Sequence, residues 1–177
     1  MIMTMNNTRT LLRSYDEAEI DDLCQLERAA HRRYLSLKGY EKFAAASAIN
    51  PERFRTGTTM VAEHAGRRAG YIIVQPLDDM LYIASLMVDD GMSGKGIGQR
   101  LLGWAEDYAY AAGVSGTCLA TFRIPRWNAP WYRKLGYAEM HESRIGPSLQ
   151  AILDRHATFL DMTTRIAMWK PTHAPLE

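Results

Sequence analysis

The sequence of 177 residues predicts an α+β fold built on a mixed β-sheet. Three observations carry this. Short apolar strands separated by turn residues occupy the middle of the chain. A glycine-rich turn then joins an apolar strand to a long amphipathic helix, and further strands follow that helix. Tight turns suit antiparallel hairpins, whereas a strand–helix–strand passage is the connection a parallel pair requires.

Taken in order, residues 8–13 read as a first strand. Ser14-Tyr15-Asp16-Glu17 has the form of a capping box, and Ile20, Leu23 and Leu26 follow at helical spacing. A second helix is expected over residues 34–46, ending before Asn50-Pro51, because a residue ahead of proline is pushed out of the helical region. Residues 58–63 and 70–75 form a hairpin around His64-Ala65-Gly66-Arg67, and Pro76-Leu77-Asp78-Asp79 turns the chain into a strand over 80–88. Ile97, Leu101, Ala105, Tyr108 and Ala112 make one helical stripe that Gly113 stops. Strand 115–122, a short helix 130–135 ended by Gly136, a helix 149–156 and a strand 165–169 complete the domain.

The most informative segment is Val88-Asp89-Asp90-Gly91-Met92-Ser93-Gly94-Lys95-Gly96-Ile97-Gly98. The first amides of a helix lack intrahelical partners and sit at the positive end of its dipole. Glycines let the backbone take positive φ and approach a ligand closely, so this turn is suited to wrapping a phosphate. A nucleoside triphosphate loop would need a Lys-Ser/Thr pair closing the run, but Gly98 is followed by Gln99-Arg100. A dinucleotide fingerprint belongs at the first strand–helix unit, with an acidic residue about 20 positions on. Here the turn comes after several strands, and Glu106 and Asp107 fall inside the following helix.

Composition narrows the reading further. The length fits one domain that buries most of its unfolded surface. We expect residues 1–7 to be a disordered leader, 8–170 the domain and 171–177 a tail. A formal net charge of +1 points away from nucleic acid and from membrane surfaces. The two cysteines, Cys24 and Cys118, lie in apolar patterns and not in a metal-like cluster, so they read as buried thiols of a cytoplasmic protein with no metal site.

Two ordered segments resemble the GNAT acetyltransferase superfamily. Leu86-Met87-Val88 matches the end of its fourth strand, and Gly96-Ile97-Gly98 the final glycine pair of its pyrophosphate loop. The family's Arg/Gln position falls on Ser93, a departure that removes one charged or amide contact, for which Lys95 is the nearby substitute. Downstream, Arg126-Trp127-Asn128-Ala129-Pro130-Trp131-Tyr132-Arg133-Lys134-Leu135-Gly136-Tyr137 resembles the segment after the family's fifth strand, and 146–168 is similar to the close of one bacterial branch. The resemblance spans roughly residues 8–169, guided the ambiguous boundaries above, and implies helices on both faces of the sheet.

It also implies chemistry. Acetyl-CoA is the implied donor, and the reaction is acetyl transfer to a primary amine of a small molecule or peptide, by direct attack in a ternary complex. Backbone amides of Ser93, Gly94, Lys95, Gly96, Ile97 and Gly98 would hold the pyrophosphate, and Leu86, Met87 and Val88 would pair with pantetheine. The Val88 amide would polarise the thioester carbonyl, an interaction worth about 3 kcal/mol. Tyr132 takes the position of the general acid. Its pKa of about 10 lies above a thiol's, roughly 8.5, so it serves by hydrogen bonding or late proton transfer. Asn128 is assigned either a contact to the CoA arm or a helix cap. Where related sequences carry a basic glutamate, this chain has Ser85, a poor base. Water at Ser85, or Glu27, His31 or Asp79, is the available substitute, each also readable as a surface or capping residue. Tyr34, Tyr40, Phe43, Arg123, Arg126, Trp127 and Trp131 fall in the acceptor regions, though core aromatics and solvated arginines explain them better. A homodimer is a family-level expectation. The alternatives are a non-catalytic acyl-CoA-binding regulatory module and a longer acyl donor.

Overall fold

The structure, a computed structural model, describes residues 9–45 and 49–173. The expected leader, Thr8, Ala46 and the last four residues of the tail lie outside the described residues. Seven strands form one mixed sheet in the order β1-β2-β3-β4-β5-β7-β6, and the chain groups into two compact units. One holds the described residues up to Ile73 together with Ser85–Gly103. The other holds Val74–Ala84 and the described residues from Trp104 onward.

In the first unit, β1 (Thr10–Ser14) pairs antiparallel with β2 (Thr58–His64), Thr10 facing His64 and Ser14 facing Met60. The capping box lies two residues later than the sequence placed it. Asp16 accepts from the Ala18 amide, and the Glu19 side chain from the Asp16 amide. A 3₁₀ turn then leads into α1 (Ile20–His31), whose buried stripe is Ile20, Leu23, Cys24, Glu27, Ala30 and His31. The expected helix over 34–46 is broken. Residues 32–36 are a 3₁₀ turn, Leu37 is extended, Gly39 has φ +90°, and only Glu41–Ala45 forms α2. Asn50 accepts from the Glu52 amide and opens a further 3₁₀ turn at Pro51–Phe54.

The hairpin from β2 to β3 (Arg67–Leu77) turns on Ala65 and Gly66, at φ +50° and +74°. Two successive positive φ values are the mark of a type I′ turn, which favours Asn-Gly and taxes a Cβ-bearing alanine. Ala65→Asn is therefore expected to stabilise the fold by roughly 0.5–1 kcal/mol, about 1–4 °C in Tm by calorimetry. β3 also begins three residues earlier than expected and runs through Pro76 to Leu77, so the following turn is only Asp78-Asp79, with Asp78 at φ +52°. Gly70 is needed for close approach: a Cβ there would stand 2.5 Å from the Met87 carbonyl oxygen.

In the second unit β4 (Met80–Val88, its first five residues) runs parallel to β5 (Gly116–Phe122) at Leu81↔Thr117 and Tyr82↔Cys118. Its crossover is α3 (Ile97–Ala111), ended at Gly113, φ +69°. β5 pairs antiparallel along its whole length with β7 (Arg165–Pro171), and β6 (Ala138–Glu139), a strand the sequence did not announce, pairs with β7. Met80, Tyr82, Cys118, Met140, Leu149 and Ile152 form the core of this unit, the last two on α5 (Pro147–Ala157). Asp78 caps that helix through the Ser148 and Leu149 amides, each at 3.3 Å. Both cysteines are buried as expected, and burial pushes the Cys118 thiol up to about 12.

Burial, reinforced by Arg165 and Arg155, holds the α5 residue His156 down at about 4, and burial also lowers His31. In an unfolded chain both rings titrate near 6.5. As pH falls from about 6.5 toward 4, the unfolded chain takes up protons that the folded chain refuses, so stability drops across that window. Thermal melts between pH 7 and 4.5 check this, and His156→Gln is expected to flatten the dependence.

Candidate active site

The glycine turn is organised from its first residue. At the end of β4 the Asp89 amide bonds to the Ala69 carbonyl (2.9 Å), and the Asp89 side chain accepts from the Gly91 amide (2.7 Å). A 3₁₀ turn at Asp90–Met92 buries Met92 and presents residues 93–96 to solvent. Arg33, just beyond α1, pairs with Asp90 and reaches the Val88 carbonyl oxygen at 3.5 Å, tying the C-terminal end of that helix to the base of the turn. Gly94 and Gly96 take φ +78° and +74°, and a Cβ on either would meet nothing within 4 Å, so backbone conformation is what demands glycine here. The Ser93 amide bonds to the Asp90 carbonyl (3.2 Å) and the Arg100 amide to that of Gly96 (3.0 Å). Among the described residues the amides of Gly94 to Gln99 have no acceptor. Six free donors at the positive end of a fifteen-residue helix make an anion cradle.

The buried face of α1 carries two groups that the sequence offered as substitute bases, each also readable as a surface or capping residue. Glu27 is 2% exposed and His31 8%. Tyr71 of β3, fully buried, donates its hydroxyl to Glu27 Oε2 at 2.5 Å, and Arg53 donates to Glu27 Oε1 at 3.0 Å. Ser85 of β4 donates its hydroxyl to the Tyr71 oxygen at 3.4 Å. Burial, with the Glu27 charge added, raises the Tyr71 phenol well above its ordinary value and keeps it a neutral donor. Burial works against the Arg53 charge, but Glu27 outweighs it and the guanidinium titrates even higher than usual. His31 approaches Glu27 at 3.6 Å, yet its lowered pKa makes it a neutral ring near pH 7, so the contact is a polar approach and not an ion pair. Its other face lies 4.6 Å from the Phe43 ring, and Tyr34 packs on Phe43 at 4.9 Å.

The second unit holds the remaining candidate residues, Asn128 and Tyr132. Pro130 starts the first turn of α4 (Ala129–Lys134), and Gly136, φ +91°, follows its end. Asn128 stands at the N-cap position without capping through its side chain. Its Nδ2 instead donates to Thr121 Oγ1 of β5 at 2.9 Å. Tyr132 is 7% exposed, edge-on to Trp131 (4.9 Å) and Tyr137 (5.5 Å). The Tyr137 hydroxyl is held against Thr117 Oγ1 at 2.7 Å. Of the acceptor-region residues, Tyr34 and Tyr40 are buried, while Arg123 and Arg126 are exposed, Arg123 on Glu139. Asp79 sits in the β3–β4 turn, where its carbonyl accepts from the Ser115 amide.

Residues 55–139 match the family model described as an acetyltransferase (GNAT) domain. That segment is similar to a GNAT acetyltransferase domain. The match runs from just before β2 to the end of β6, and so includes the glycine turn, Tyr71, Ser85 and α4. Solved structures agree on the GNAT fold. A PaiA N-acetyltransferase from Thermoplasma acidophilum, in complex with coenzyme A, superposes with TM-score 0.68 at 14% identity, covering 92% of this chain and 99% of that one. The ribosomal-protein-S18-alanine N-acetyltransferase of Escherichia coli gives 0.62 at 17%, covering 96% and 97%. The N-acetylglutamate synthase of Neisseria gonorrhoeae, complexed with coenzyme A and N-acetyl-glutamate, gives 0.68 at 17%, covering 93% of this chain but 35% of that one. Glu27, His31 and Arg53 lie outside the segment that matches the GNAT family model.

Tyr71 and Arg53, which bond to Glu27, were not among the candidate residues in the sequence. One cue was present: Glu27 and His31 fall on the same helical stripe as Ile20, Leu23 and Cys24, where a charged residue needs a buried partner.

Proposed function

We propose that this GNAT protein is an N-acetyltransferase that moves the acetyl group of acetyl-CoA directly to a primary amine of a small molecule or peptide. The observation that carries the reading is the glycine turn leading into α3, where among the described residues the six amides of Gly94 to Gln99 have no acceptor, within the segment that matches the acetyltransferase domain model. Structural relatives crystallised with coenzyme A support the donor, and one of them holds an acetylated amino acid as well.

In this reading Leu86, Met87 and Val88 pair with the pantetheine amides, and the Val88 amide stabilises charge that develops on the thioester oxygen. Asn128 contributes to the CoA arm. Its tie to Thr121 fixes the amide's orientation. Tyr132 donates a proton to the departing thiolate as the carbon–sulfur bond breaks. The edge-on rings of Trp131 and Tyr137 restrict its rotation, which suits a group that must meet one sulfur atom.

The test is mass-spectrometric detection of the acetylated amine after incubating the chain with acetyl-CoA and spermidine, benzylamine, amino acids or an alanine-terminated peptide. An amide product is expected with at least one of these classes, and Tyr132→Phe is expected to lower kcat at least ~10-fold. Full activity in that variant would remove Tyr132 from the mechanism.

A further inference from the structure

An amine that arrives as an ammonium ion must lose a proton before it can attack, and the position where related sequences place a glutamate holds Ser85. The geometry points to a relay, Ser85–Tyr71–Glu27, that takes this proton and delivers it to a carboxylate buried beneath the strand. The inference rests on the acetyltransferase reading above.

The direction of the hydrogen bonds is what makes the chain a relay. Ser85 donates to Tyr71, and Tyr71 donates to Glu27. Both hydroxyl hydrogens point toward Glu27, so the Ser85 oxygen keeps lone pairs to accept from an ammonium N–H. Of the three residues Ser85 retains the most surface, 7%, against 0% for Tyr71 and 2% for Glu27. The amine nitrogen gives its proton to Ser85 Oγ, the Ser85 hydroxyl proton moves to the Tyr71 oxygen, and the Tyr71 proton moves to Glu27. Both hydroxyls are regenerated, the amine becomes neutral, and Glu27 becomes a carboxylic acid. The amine then forms its N–C bond as the C–S bond breaks.

The groups around the relay suit that traffic. Glu27 is faced by Arg53 from the 3₁₀ turn before β2, by His31 from its own helix, and by Tyr71 from β3. Phe54 packs edge-on against the Tyr71 ring at 5.1 Å and fixes its orientation. Ser85 is the group that touches substrate. Tyr71 and Glu27 act through it and position or receive the proton. The relay also accounts for a serine at the expected base position: the carboxylate is supplied by α1 instead of β4.

The experiment is kcat/KM between pH 6.5 and 10 with benzylamine, spermidine and an alanine-terminated peptide, for the wild-type chain, Ser85→Ala, Tyr71→Phe and Glu27→Gln. Loss of the relay is expected to lower the rate ~100-fold or more near pH 7. The deficit should shrink about tenfold per pH unit and vanish near the amine's own pKa, with acetyl-CoA affinity unchanged. A merely structural role lowers the rate equally at every pH. Parallel profiles, or wild-type profiles in both Ser85→Ala and Tyr71→Phe, would overturn the relay while leaving the acetyltransferase reading intact. A wild-type chain that acetylates none of these amines would overturn that reading and the relay with it.

Discussion

Arg53→Met is expected to destabilise the fold by roughly 3 kcal/mol, lowering Tm by about 6–12 °C in a chain of this size. Glu27 is the reason. Its carboxylate is nearly inaccessible, and the Arg53 guanidinium is the cation bonded to it, at 3.0 Å. Removing one member of a buried pair leaves the other charge without compensation, and that penalty exceeds the net worth of the pair itself. Arg53 keeps about a third of its side chain in water, 34%, which places the expected loss at the lower end of the range for buried pairs. Differential scanning calorimetry at pH 7 reads the shift. The double variant Glu27→Gln with Arg53→Met should recover much of the loss, because it removes the orphaned charge along with its partner. Equal stability of Arg53→Met and the wild type would show that Glu27 is not held as a buried charge.

Gly96→Glu is expected to weaken coenzyme A binding ~100-fold or more while the chain stays folded. Two effects act in the same direction. Gly96 has φ +74°, a conformation that costs a residue with a Cβ about 1–2 kcal/mol, so the turn must relax and its amides lose their common aim. The new carboxylate would also stand beside a pyrophosphate, and like charges held together cost several kcal/mol. The fold tolerates the change because a Cβ at this position meets nothing within 4 Å. Equilibrium titration with coenzyme A reads the affinity, and circular dichroism confirms the fold. An unchanged affinity would move the phosphate site away from this turn.

Local chemistry made most elements legible. The glycine stop after α3, the hairpin at Ala65-Gly66 and the strand at 80–88 follow from residues that act on their own backbone or their immediate neighbours. The failures came where a choice depended on distant contacts. The box was placed on Ser14, but Asp16 is the cap, because Glu19 closes the box on the Asp16 amide while also bonding to Arg13. The helix expected over 34–46 ignored Gly39, whose positive φ separates a 3₁₀ turn from α2. Pro76 marked a turn in the sequence, but the strand continues one residue beyond it. β6 is two residues long and exists through its pairing with β7, which no local pattern announces.

The site divides in the same way. A glycine turn at a helix start is a local motif, so its positive-φ conformation could be read directly. A proton relay is assembled from α1, β3 and β4, residues 27, 71 and 85, and its members become recognisable only when the fold brings them together. Glu27 alone looked like one more helix carboxylate. Bonded to Tyr71 and Arg53, it is a buried group that the fold must keep satisfied.

The central claim is that the turn at 93–98 receives the pyrophosphate of acetyl-CoA, and calorimetric titration of the wild-type chain with acetyl-CoA tests it most directly. The account predicts one site per chain, competed by free coenzyme A and weakened ~100-fold by Gly96→Glu. Absence of binding, or binding that Gly96→Glu leaves untouched, would contradict it.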